Sequence, residues 1–136
     1  MEVNVNFSGL NSGVTASHIH CCITMPGGNA GVATITPTFT GFPSGVTAGS
    51  YDHIFDLTSA ATYNPSFVTA QGSLANAEAA LLAGLANNQT YLNIHTMTSP
   101  GGEVRGFLVQ TPEPATLLLS GLTLAALGLV RRRLHV

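Results

Sequence analysis

Val3, Val5 and Phe7 alternate with Glu2, Asn4, Asn6 and Ser8. A period of two describes a strand with one buried face. Turn residues follow at 9–13. Residues 15–20 predict a second strand, with Ile19 on one face and His18 and His20 on the other. Pro26-Gly27-Gly28-Asn29 is a loop signal, and residues 31–39, rich in Val, Ile and Thr, predict a third strand. A Gly- and Pro-containing loop covers 41–49, and a further strand is expected over 51–57. Tyr63-Asn64-Pro65 breaks the pattern again. The period then changes. Leu74, Ala77, Leu81 and Leu85 are spaced by three and four, which predicts a helix over 73–87. Ser73 suits its N-cap and Asn87-Asn88 its stop. Residues 90–97 return to alternation, with Leu92 and Ile94 facing one way and Tyr91, Asn93 and His95 the other. Ser99-Pro100-Gly101-Gly102 is a tight turn, and 103–109 is its hairpin partner. The expected fold is all-β, a mainly antiparallel, Greek-key-like β-sandwich with one inserted α-helix. A C-terminal hydrophobic helix follows it.

That last segment is a separate unit. Residues 115–130 carry no charge and have leucines on every side. As a helix they span about 24 Å, short of a hydrocarbon core of about 30 Å. Arg131, Arg132 and Arg133 follow, and such a cluster stays on the cytoplasmic side of a membrane. Pro112-Glu113-Pro114 precedes the apolar run. These three parts, in this order, resemble the PEP-CTERM sorting signal. The resemblance implies recognition by an exosortase and transient residence in the inner membrane through 115–130. It also implies cleavage near Pro112, Glu113 and Pro114, then release to the cell surface or matrix. The organisation expected is therefore a body over 1–110 and a sorting signal over 111–136. The first residues show no basic, apolar leader, so a signal peptide is expected upstream of this chain.

Charge agrees with export. Only 7% of the 136 residues are charged, and lysine is absent, against about 25% charged in an ordinary soluble domain. Residues 1–111 hold five acidic residues and Arg105 alone. Without a basic face, nucleic acid is excluded as a partner. Polar Thr, Asn and Ser surfaces point instead to exopolysaccharide or surface proteins.

Two blocks carry a second resemblance. One is Ala16-Ser17-His18-Ile19-His20. The other is Tyr91-Leu92-Asn93-Ile94-His95-Thr96 followed by Pro100-Gly101-Gly102-Glu103-Val104-Arg105-Gly106. Together they resemble the CHRD domain over roughly 3–109. Family members have further strands ahead of the segment at Val3, so the chain is expected to be truncated at its N-terminus. They also carry Gly after His-Ile-His, where this chain has Cys21-Cys22.

His18 and His20 lie two apart on a strand, so their rings leave one face about 7 Å apart at the backbone. His95 can join them from a neighbouring strand. Three imidazoles suit copper or zinc. The other reading is structural: the rings hydrogen-bond to Asn93, Thr96 or Glu103 and hold the strands in register. Asp52, His53 and Asp56 offer a further carboxylate. Glu103 and Arg105 are expected as a structural ion pair. Adjacent cysteines are poorly placed to bridge, so Cys21 and Cys22 are expected as free or intermolecular thiols. There is no serine-nucleophile motif, phosphate loop or carboxylate pair flanking a cleft. The function expected is non-enzymatic, a binding or structural role outside the cell. The alternative is a copper or zinc protein, with redox activity as its enzymatic form.

Overall fold

The alternating start of the chain folds as strand β1 (Glu2–Phe7), with Val3 buried and its polar neighbours outward. The computed structural model describes residues 1–25 and 27–109. β1 pairs antiparallel with β3 (Gly49–Ile54), setting Val3 opposite His53 and Val5 opposite Tyr51. The second sheet runs in the order β2 (Val14–Cys21), β4 (Thr90–Thr96), β5 (Val104–Phe107), all antiparallel. Its register puts Ile19 opposite Leu92, and Ile94 opposite both Ser17 and Val104. Both sheets feed one core cluster, which includes Val3 and Tyr51 from the first and Ile19, Leu92 and Ile94 from the second. A groove of about 450 Å³ separates β1 from the apolar face of the second sheet.

Helix α2 (Leu74–Ala86) forms where the three-and-four spacing predicts it. Ser73 accepts a hydrogen bond from the backbone N–H of Asn76, and Asn87 closes the other end. Leu81 is fully buried, and burying such a side chain contributes about 1.5–3 kcal/mol. A second helix, α1 (Pro65–Gln71), stands where only a chain break was expected. Asn64 caps it by accepting from Ser66, Pro65 opens it, and Gly72 ends it at φ 82°. Among the described residues the body thus has two α-helices and a short 3-10 turn at Ala60–Thr62, not a single helix.

Residues 31–39 do not form a strand. They run along the free edge of β2 with only isolated bridges, His20 to Val32 and Thr34 to Tyr63. Thr34 and Thr38 explain the departure. Their hydroxyls, not backbone carbonyls, accept from the N–H groups of Ile19 and Ser17, each at 2.9 Å. A cis Thr36-Pro37 peptide sits between them. The segment is therefore a loop fitted to a strand edge: Gly31 O still takes the Cys21 N–H, while the Pro37 carbonyl is turned to other use.

Two further expectations are corrected. Cys21 and Cys22 are bridged to each other. Their sulfurs lie against the Ala80 carbonyl and Gly84 of α2. Glu103 and Arg105 do not pair. The Glu103 carboxylate accepts from the Asn11 backbone at 2.6 Å, the Asn11 amide at 2.9 Å and the Thr96 hydroxyl at 2.6 Å. Arg105 instead donates to Asn29 and Gly28. The PEP motif at 112–114, the apolar run at 115–130 and the arginines at 131–133 lie outside the described residues. Among the described residues no helix is long and apolar enough to cross a membrane.

Candidate metal centre

Strand alternation sets the site. On the face of the second sheet turned away from the core, β2 presents His18 and His20, and β4 presents Tyr91, Asn93 and His95. β5 adds Arg105 opposite Asn93 and Phe107 opposite Tyr91. The three histidines predicted from sequence come together, and one nitrogen from each lies within 4.8 Å of the others. His18 is 7% exposed, while His20 and His95 are partly open to solvent.

Each ring is fixed by a backbone carbonyl. His18 Nδ1 lies 2.9 Å from the Pro37 oxygen, His20 Nδ1 2.8 Å from Ala30, and His95 Nδ1 2.9 Å from Pro100. A carbonyl oxygen only accepts, so every Nδ1 must carry the proton and donate it. In a neutral imidazole the Nε2 is then a bare lone pair. Two of these, on His18 and His95, face each other at 3.0 Å. Lone pairs at that distance repel unless a proton or a metal cation lies between them.

A proton on His18 is disfavoured. Burial pushes His18 below its ordinary value of 6.5, the Pro37 hydrogen bond opposes this in part, and His20 and His95 push it further down. His20 is lowered by burial first, then by His95 and Arg105, against the raising effect of its bond to Ala30. A metal cation fits better. Backbone or carboxylate bonds to the far nitrogen are how proteins orient metal-ligating histidines. Ligands of a tetrahedral zinc with bonds of about 2.0–2.1 Å are about 3.3 Å apart, so the His18–His95 pair at 3.0 Å is already near that spacing and the widest pair would draw in by about 1.5 Å.

A second layer holds His20. Tyr91 stacks on it at 4.6 Å between centroids, and the Arg105 guanidinium carbon sits 4.0 Å over the Tyr91 ring. The Tyr91 hydroxyl meets the same Ala30 peptide that anchors His20. Asp52, His53 and Asp56 belong elsewhere. The first two lie on β3 in the other sheet, and Asp56 accepts from Thr58. Of the structural partners foreseen for the histidines, Asn93 approaches His20 at 3.5 Å, whereas Thr96 and Glu103 bond to each other. Sequence reasoning missed the carbonyls of Ala30, Pro37 and Pro100, since a backbone oxygen leaves no mark in residue type.

Comparison with known proteins adds two findings. A family model described as the CHRD domain matches residues 1–108, and one described as the PEP-CTERM protein-sorting motif matches residues 110–133. No curated protein and no solved structure matched the chain.

Proposed function

From its membership of the CHRD-domain family and its PEP-CTERM motif, which together mark an exosortase-sorted extracellular protein, we propose that this domain holds a copper or zinc ion between His18, His20 and His95. The observation that carries the reading is the triple Nδ1–carbonyl lock, which leaves the Nε2 lone pair of each ring uncommitted to the backbone in a cluster where one nitrogen of each lies within 4.8 Å of the others. Imidazole nitrogen suits both metals. The role is one of binding rather than turnover. The precursor would rest in the inner membrane through 115–130 before release to the surface or matrix. Two sheets sharing one core support the sandwich reading of the body.

The test is a titration of the metal-free full chain, held in mild detergent, with zinc and with copper. One equivalent should bind, and His18→Ala/His20→Ala should abolish it while keeping the melting transition. Wild type that binds no metal, or a double variant that binds as well, would return the histidines to sheet-face structure. Exopolysaccharide and surface proteins would then be the partners to seek.

A further inference from the structure

Asn93 stands at the middle of the histidine face. On β4 it lies between Tyr91 and His95, and across the ladders it opposes His18 on β2 and Arg105 on β5. Its side chain is 2% exposed. Its Nδ2 is 3.5 Å from His20 Nε2, too long to be a good hydrogen bond. Its Oδ1 is buried and has no hydrogen-bond partner. With one end weakly bonded and the other unbonded, no strong hydrogen bond fixes which way this amide is turned.

Gly102, at φ +111°, packs against the amide, and a Cβ built there would lie 2.9 Å from Asn93 Nδ2 and 3.3 Å from Oδ1, so only glycine leaves the amide its place. The two ends of an amide have almost the same shape and exchange by a half-turn. Turned, the group presents Oδ1 where Nδ2 now stands, 3.5 Å from His20 Nε2. Two ligands of a tetrahedral zinc with bonds near 2.0–2.1 Å are about 3.3 Å apart. An N–H directed at a cation would be repelled, and a carbonyl oxygen would be attracted.

We propose that Asn93 Oδ1 is the fourth ligand, which makes the centre a closed, four-coordinate site of three nitrogens and one oxygen. This rests on the reading that the three histidines hold a metal. A closed site leaves no position for water or substrate, which is the mark of a structural centre rather than a catalytic one. Its amide oxygen is a hard ligand, so the site selects zinc(II) or copper(II) over copper(I).

Two measurements on the full chain in detergent test this. The first is zinc affinity, read by competition with a chromophoric chelator, for wild type, Asn93→Ala, Asn93→Asp and His18→Ala/His20→Ala. The second is water-proton relaxation of the copper(II)-loaded wild type. Asn93→Ala should weaken zinc by at least about tenfold, Asn93→Asp should retain it, and the copper-loaded protein should show no exchanging inner-sphere water. Equal affinity of Asn93→Ala and wild type would overturn the proposal. So would an inner-sphere water on the wild-type centre, a result that needs no variant to fold. Wild type that binds neither metal would overturn the histidine reading as well, and that outcome is distinct from metal bound without Asn93.

Discussion

His18 and His95 face each other through nitrogens 3.0 Å apart, and each has already committed its other ring nitrogen to a carbonyl. On that pair of facts rests the proposal that these are a ligand set and not a row of histidines on a sheet. The residue types and their shared face were legible in the alternation of 15–20 and 90–97. The tautomer was not, because loops far along the chain supply the oxygens that fix it. Acid should expose the arrangement. Burial lowers His18 and His20 below the ordinary 6.5. The unfolded chain therefore binds more protons than the folded one as pH falls below that value. The stability these groups contribute is fully present above about pH 6.5 and is lost as pH drops through their folded values. Glu103 stays ionised in this window. The Thr96 hydroxyl, then the Asn11 backbone N–H, hold its carboxylate below the usual range. Asp56 is lowered likewise by Thr58. The metal-free chain should melt at a lower temperature at pH 5.0 than at pH 7.5. An unchanged or higher melting point at pH 5.0 would contradict the buried, neutral rings.

Elements were readable where one period held for long enough. β2 and β4 alternate over eight and seven residues, and α2 keeps its stripe for thirteen. α1, at seven residues, is too short to show a period, and its Asn64-Pro65 start reads equally as a turn. The loop over 31–39 misled because Thr34 and Thr38 have strand-forming character but meet the Ile19 and Ser17 N–H groups of β2 with hydroxyls where a strand would offer carbonyls. The join between α2 and the end of β2 makes a separate prediction. Replacing a helical glycine with alanine ordinarily gains about 1 kcal/mol. At Gly84, however, the new Cβ would lie 2.5 Å from Cys21 Sγ and 2.9 Å from Cys22 Sγ. The methyl would push α2 away from the disulfide, so Gly84→Ala should lower the melting temperature under oxidising conditions. A raised midpoint would mean that α2 does not pack there as described.

For the whole molecule, the last described backbone bond ties Leu108 to Thr90, and the PEP motif begins four residues beyond, at Pro112. Removal of the tail near that motif would leave β5 and the histidine face complete. The family resemblance was carried by side chains that now lie together: His18, His20, Asn93 and His95 on one face, with Glu103 and Gly102 shaping the turn beside them. The pairing of β1 with β3 was not legible, since 41 residues separate the two strands and neither carries a turn signal toward the other. The central claim joins address to chemistry, an exported domain that carries one metal ion. Native mass spectrometry tests both at once, on protein expressed behind a secretory signal peptide and recovered outside the cells of an exosortase-bearing host. The predicted mass is that of a chain ending near Pro112–Pro114 with one zinc or copper bound, and the metal is missing from His18→Ala/His20→Ala. A full-length chain retained in the membrane, or a released chain free of metal, would contradict the account.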